Sequence, residues 1–156
     1  MQISRNTARR QGVNSKYKDL DGIKMMTLCL YGEGRGERIE GQVAIGSVII
    51  NRTKLSRKTV KSVCLQAKQF SCFNSSDTNS SILEEIAMDW DKHIESDKAL
   101  RQCYWVAKGL IEGWIKGNVK NATHYHHVDS NPVWAAKIEK LMKIGNHQFY
   151  FEKGWR

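Results

Sequence analysis

Apolar residues along the chain recur mostly at the three- and four-residue spacing of amphipathic helices. Residues 19–31 predict a first helix, which we expect to end near residues 31–33 because alternating glycines follow there and favour a tight turn. Residues 38–54 are apolar nearly all round, and this pattern predicts a buried central helix. Small residues within that segment would let another helix approach closely.

Helical spacing recurs in three more segments, at residues 59–66, 82–92 and 96–116. Large aromatic side chains at helical positions are usually core residues. The pattern therefore predicts three buried tryptophans, namely Trp90, Trp105 and Trp114.

The last third of the chain is less regular. Residues 121–151 alternate aromatic and polar groups, and a short helix is predicted at 133–143, with Asn146 and His147 as its cap. Neither a repeat nor a linker is present. The chain is thus predicted to be a mainly α (α+β) single domain with a small β element in its last third.

Charge adds the first functional indication. The 156 residues include 25 Lys and Arg against 16 Asp and Glu, a net charge of +9 that favours polyanionic partners. Five of the basic residues lie in residues 1–18, which contain no acid and no apolar run. We therefore predict a flexible basic arm at 1–18 and a catalytic domain at 19–156.

The four cysteines are widely spaced and form no CxxC pair. We expect free thiols, with Cys29 in the core. A disulfide between Cys64 and Cys72 stays open, although no pattern favours it. The chain shows neither the apolar region of a signal peptide nor a stretch long enough to span a bilayer.

Glu33 is the most informative acidic residue, since it stands at the end of an apolar helix between two glycines. An apolar wall and the negative end of the helix dipole both disfavour a carboxylate, which would raise the pKa of Glu33 towards neutrality. Such a group suits general acid catalysis. The spacing alone is more typical of solvated acids beside a turn, and this holds for Glu37 as well.

Four blocks in fixed order decide between these interpretations: YGEGRGERIEGQVAIGSVIINR from Tyr31, QFSCF from Gln69, ATHYH from Ala122, and IGNHQFY from Ile144. Together they resemble the SleB/CwlJ-type cell-wall hydrolases, the spore-cortex-lytic family also found in phage lysins, over roughly residues 22–151. Gly34 and Asn121 depart from the family pattern, which usually has alanine and glycine there. Neither departure touches the candidate acid.

The resemblance implies a lysozyme-like fold and cleavage of the MurNAc–GlcNAc β-1,4 bond, with Glu33 as general acid and base. A lytic transglycosylase works with that single acid, whereas a muramidase needs a second carboxylate. Glu37 is the candidate for the second role. We expect Glu37 instead to order the turn by pairing with Arg35 or with backbone amides.

The resemblance also places the third block in the substrate cleft, where a tyrosine can stack on a sugar ring and a histidine can hydrogen-bond it. Amide and hydroxyl groups of the second block suit sugar recognition too. The predicted substrate-binding residues are Glu37, Arg35, Gln69, Ser71, His124, Tyr125, His126 and Trp134.

Two other functions compete with glycan cleavage. A zinc-dependent peptidoglycan amidase would use His124, His126 and His147 as ligands, although no HExxH motif occurs. A non-enzymatic basic protein could bind nucleic acid, but the sequence has none of the usual recognition motifs. We predict no metal and no cofactor.

For the favoured function the partner is the peptidoglycan glycan strand, with nonspecific attraction to anionic envelope polymers and no specific nucleic acid. We expect a monomer that acts as an endolysin. It would wait in the host cytoplasm until it is released to the cell wall or periplasm.

Overall fold

Helices form most of the computed structural model, which describes residues 16–66, 70–73 and 77–156. The α-helices of this part are α1 Gly22–Gly34, α2 Ile39–Ser56, α3 Val60–Cys64, α4 Ser80–Met88, α5 Trp90–Ser96 and α6 Lys98–Glu112. Two 3₁₀ helices lie at Ser71–Phe73 and Val133–Lys137. The strands are β1 His124–His127, β2 Glu139–Ile144 and β3 His147–Phe151.

Helix α1 is the buried helix whose last turn carries the candidate acid. The Asp21 carboxylate caps it by accepting a 2.8 Å hydrogen bond from the Lys24 N–H. The helix continues through Gly32 to Gly34, beyond the end that the glycines predicted. Gly32 serves close packing instead of a turn, because a Cβ atom there would lie 2.6 Å from Cys72 Cβ.

Helix α2 is the predicted central helix, and its burial is confirmed. Val48 and Ile49 are fully buried, and the small residue Gly46 lies against Leu110 of α6, where a Cβ atom would collide with the leucine side chain. The close helix approach expected from the small residues therefore occurs. Helix α6 ends at Gly113, whose φ of 87° is the left-handed conformation of a glycine C-cap.

The small β element is a three-stranded antiparallel sheet of order β1-β3-β2. Phe149 on β3 is fully buried against Ala44 and Val48 of α2, and this contact joins the sheet to the helices. The predicted helix at 133–143 is wrong beyond Lys137. The apolar residues of β2 pack as a strand because β3 supplies their backbone partners, a pairing that local periodicity does not reveal.

Asn146 and His147 do not cap a helix, because the hairpin between β2 and β3 occupies that position. Gly145 at the turn has a φ of 57°, the left-handed conformation that a tight hairpin needs. His147 is the first residue of β3 and is 5% exposed. The predicted cap thus turns out to be the beginning of a buried strand.

Two of the three tryptophans predicted as core are surface residues. Trp105 and Trp114 are each 49% exposed and stack edge to face with ring centroids 5.2 Å apart. Helical spacing alone therefore overestimated their burial. Each ring is partly covered by the other ring. Trp90 is half-buried against the main core, as expected.

Residues 16–18 of the predicted basic arm lie among the described residues, whereas residues 1–15 lie outside them. Tyr17 is 2% exposed and packs edge to face on Phe73, with ring centroids 5.5 Å apart. Lys16 forms a 2.8 Å ion pair with Glu84 of α4. The end of the arm is therefore attached to the domain, because Tyr17 supplies a core side chain.

The four cysteines are buried free thiols, and Cys29 is a core residue as predicted. Among the described helices, none combines the length and the apolar character needed to cross a bilayer.

Candidate active site

Glu33 lies in the last turn of α1, beside the short 3₁₀ helix at Ser71–Phe73. The backbone N–H of Cys72 donates a hydrogen bond of 3.4 Å to Glu33 Oε1. Gly32 permits this contact, since any side chain there would push Cys72 away from the helix. The glycine before the acid thus brings a backbone donor to the carboxylate.

Burial is the main influence on the ionisation of Glu33, and it raises the pKa of the carboxyl above its ordinary value. The negative charge of Asp77 acts in the same direction. Hydrogen bonds from Cys72 and from the Tyr125 hydroxyl oppose the rise by stabilising the carboxylate. The net result is a carboxyl group that holds its proton at higher pH than a solvated glutamate does.

Tyr125 reaches Glu33 from strand β1. Its ring packs on Phe70 and Phe149, at centroid distances of 6.5 Å and 5.7 Å. Burial of the hydroxyl, next to the charge of Glu33, raises the pKa of Tyr125 well above 10. The phenol therefore stays protonated and can donate to the carboxylate.

Glu37 is paired with a histidine rather than with Arg35. Its Oε1 atom lies 3.2 Å from His147 Nδ1, and the two side chains are only 9% and 7% exposed. Burial lowers the pKa of His147, while Glu37 works in the opposite direction. Arg35 instead lies over the Tyr31 ring, at 4.9 Å, and donates to the Tyr31 carbonyl. The predicted pairing of Glu37 with Arg35 is wrong.

The other predicted sugar contacts of the third block lie on the opposite face of the sheet. His124 and His126 alternate with Tyr125 along β1, so their side chains point away from it. Both pack on Trp134, at centroid distances of 5.2 Å and 5.7 Å. His126 also stacks on Tyr150 and hydrogen-bonds its hydroxyl at 2.9 Å.

We call the face of the sheet that carries His124 and His126 the outer face. His124 on this face is a weak base. Burial, followed by the nearby positive charge of Arg52, lowers the pKa of His124 to about 4. The ring is therefore neutral near pH 7. It can then both donate and accept a hydrogen bond.

The histidines proposed as zinc ligands are not brought together. His147 pairs with His127 across the strands and shares its face, opposite His124 and His126. Over residues 16–66, 70–73 and 77–156, no three His, Cys, Asp or Glu side chains are placed to hold a metal ion. The arrangement does not support the amidase hypothesis in the form proposed from the sequence.

Sequence patterns did not single out three contributors to this site: the Cys72 backbone N–H, the charge of Asp77, and the pairing of His147 with Glu37. A backbone donor carries no sequence signal, and the pairing joins residues more than one hundred positions apart. Gln69 lies outside the described residues, and Ser71 begins the 3₁₀ helix that carries Cys72.

A model of the cell wall hydrolase family matches residues 36–150. The match covers well over half of the chain and begins just after Glu33. This chain belongs to the cell wall hydrolase family. The resemblance seen in the four sequence blocks is confirmed.

Curated relatives agree with the family assignment. The chain is 29% identical over 130 residues to a spore cortex-lytic enzyme of Oceanobacillus iheyensis, covering 81% of this chain and 40% of the relative. The spore cortex-lytic enzyme of Bacillus subtilis is 27% identical over 130 residues, covering 81% and 36%. The chain thus spans less than half the length of these relatives.

Solved structures show the same fold. The catalytic domain of the germination-specific lytic transglycosylase SleB from Bacillus anthracis matches with a TM-score of 0.57 and 27% identity, over 83% of this chain and 93% of that domain. The catalytic domain of Bacillus cereus SleB matches with a TM-score of 0.57 and 26% identity, over 83% and 89%. The predicted lysozyme-like, mainly helical fold with a small sheet is confirmed.

Proposed function

We propose that this domain cleaves the glycan strands of bacterial peptidoglycan at the MurNAc–GlcNAc β-1,4 bond, as a lytic transglycosylase with Glu33 as its acid and base. The observation that carries the proposal is the environment of Glu33, a half-buried carboxyl with a raised pKa at the end of α1. Membership of the cell wall hydrolase family supports the substrate. The name of the Bacillus anthracis neighbour supports the reaction type.

The reaction needs one group that first gives and then takes a proton. Protonated Glu33 donates to the glycosidic oxygen, so that the bond to the anomeric carbon of the muramic acid breaks and GlcNAc leaves as an alcohol. The Glu33 carboxylate then accepts the proton of the primary hydroxyl of the same muramic acid. That oxygen bonds to the anomeric carbon and closes the 1,6-anhydro ring, and Glu33 is protonated again.

Two neighbouring carboxylates are already engaged, which favours the single-acid reaction over hydrolysis. Glu37 contacts His147, and Asp77 Oδ1 accepts a 2.8 Å hydrogen bond from the Asn79 N–H ahead of α4. A hydrolytic enzyme needs its second carboxylate directed at the sugar or at a water molecule. In the described part of the chain, the charge of Asp77 is the carboxylate charge that acts on Glu33.

The test is mass spectrometry of the muropeptides released from purified peptidoglycan. We expect 1,6-anhydromuramoyl ends from the wild type and a loss of roughly 100-fold or more for Glu33→Gln, the usual range for a general acid. The control is Glu85→Gln, which changes an exposed glutamate on α4 and should leave the products unchanged.

Other products would redirect the assignment. Reducing ends would mean hydrolysis, and Asp77→Asn would then test Asp77 as the second carboxylate. Free peptides with intact glycan strands would favour an amidase. An active Glu33→Gln variant would contradict the role given to Glu33.

The net charge of +9 supports a second element of the proposal, nonspecific attraction to anionic wall polymers. Binding to whole walls should then weaken as salt rises from low to physiological strength. A sedimentation assay over a salt series measures this directly. Equal binding at all salt concentrations would contradict an electrostatic origin.

A further inference from the structure

The buried side chain of Glu37 is closely packed on several sides. Three glycines surround its side chain, and a Cβ atom would lie 2.6 Å from Oε2 at Gly145, 3.0 Å from Oε2 at Gly41, and 3.6 Å from Cγ at Gly34. These glycines come from α1, α2 and the β2–β3 turn. A buried carboxylate is costly unless it has a partner, so this packing requires a reason.

The partner of Glu37 is His147, at the first position of β3. The distance of 3.2 Å joins Glu37 Oε1 to His147 Nδ1. The other titratable groups that act on His147 are His126 and His127, both from β1. The pair therefore connects the segment between α1 and α2 to the hairpin between β2 and β3.

His147 in turn contacts the residue that reaches Glu33. Its ring lies edge to face against Tyr125, with centroids 5.3 Å apart, and the Tyr125 hydroxyl interacts with the Glu33 carboxylate. A continuous series of contacts thus runs from Glu37 through His147 and Tyr125 to Glu33. No member of the series other than Glu33 needs to touch the substrate.

We propose that Glu37 and His147 form a positioning pair, which holds the Tyr125 ring so that its hydroxyl stays on Glu33. Glu37 is then not the second catalytic carboxylate. The catalytic consequence of the pair rests on the function proposed above, whereas its structural consequence does not. At metal sites, loss of a group that orients a ligand in this way costs about 10- to 100-fold in affinity or activity, and we expect an effect of similar size here.

The first experiment compares Glu37→Gln, His147→Gln and the double variant on soluble peptidoglycan fragments. We expect each single variant to lower kcat roughly 10- to 100-fold with little change in KM, and the double variant to lose no more than either single one. The type of product should stay that of the wild type. Glu40→Gln, an exposed glutamate on α2, is the matched control.

The second experiment follows the protonation of Glu33 itself by NMR of carboxyl-labelled glutamate. Loss of the pair should release the Tyr125 hydrogen bond, so the pKa of Glu33 should rise in Glu37→Gln and in His147→Gln. Tyr125→Phe should raise it as well. Tyr125→Phe combined with His147→Gln should raise it no further than Tyr125→Phe alone.

The outcomes separate the positioning pair from the proposed function. An unchanged Glu33 pKa in both pair variants overturns the positioning pair, even if the enzyme is a transglycosylase. A loss of more than about 1000-fold in Glu37→Gln, together with partial rescue by formate in Glu37→Ala, also overturns it, since a second catalytic carboxylate behaves in this way. If the wild type leaves glycan strands intact, the proposed function fails, and the NMR titration still decides for or against the pair.

Discussion

The two faces of the small sheet are built from the same stretch of chain, yet their environments are opposite. On the inner face Tyr125 lies against His147 and Phe149 and reaches Glu33. On the outer face His124 and His126 pack around Trp134, away from that acid. Alternation along one strand thus divides a continuous sequence block into a part that acts on the candidate acid and a part that does not.

This difference shows how little a continuous motif says about which of its residues act together. The resemblance assigned His124, Tyr125 and His126 to one substrate cleft. The structure joins only Tyr125 to Glu33 and brings in His147 from a different block. Variants on each face can test whether this geometric division is also a functional one.

Among the variants that compare the two faces, Tyr125→Phe on the inner face is expected to have the largest effect. Removal of the hydroxyl takes away an interaction that stabilises the Glu33 carboxylate and lowers the pKa of that carboxyl. We expect kcat to fall roughly 10- to 100-fold in steady-state assays. His126→Phe is the outer-face control and should stay within about twofold, since the His126 ring packs on Trp134 and Tyr150. Equal losses in both variants would remove the distinction between the faces.

Gly145→Ala should cause the next largest effect, a loss of stability of about 2 kcal/mol. The residue has positive φ, and the new Cβ atom would lie 2.6 Å from Glu37 Oε2. Gly154→Ala provides the control, because Gly154 also has positive φ but has nothing within 4 Å of the added atom. Urea unfolding of both variants isolates the contact with Glu37. Equal destabilisation would show that the contact contributes nothing.

Glu33→Gln should stabilise the protein in a pH-dependent manner. The folded state raises the pKa of Glu33 above its ordinary value of 4.5, so the wild type loses stability as pH rises from about 4.5 through the raised pKa. The glutamine variant cannot ionise and avoids that loss. Thermal unfolding should therefore give a higher Tm for the variant at pH 8 and no such advantage at pH 4. The opposite pH trend would mean that the pKa of Glu33 is lowered.

The smallest effect is expected for Trp134→Ala on the outer face. If the outer aromatic residues bind sugar, removal of this ring should raise KM by about two- to fivefold and leave kcat unchanged. Kinetics on fragments of increasing length would measure both values. A fall in kcat as large as that of Tyr125→Phe would place the outer face within the catalytic machinery.

The sequence predicted most of the helical fold and the central residue of the candidate site. A long apolar segment located α2 and helical periodicity located α6, because long, strongly patterned segments are the most reliable local signal. Four ordered blocks identified the family, and Glu33 stood out by its position at the end of an apolar helix. The strand β2 was missed because six residues of mixed character resemble a short helix until β3 pairs with them.

By itself, the sequence determined the family, the mainly helical architecture, the net charge and the candidate acid, since each depends on composition, periodicity or motif order. Only the tertiary structure decided what surrounds that acid. The Cys72 backbone donor, the Tyr125 hydroxyl and the Glu37–His147 pair come from segments far apart in the chain. Their roles arise from burial and distance, two quantities that exist only after helices and sheet have packed together.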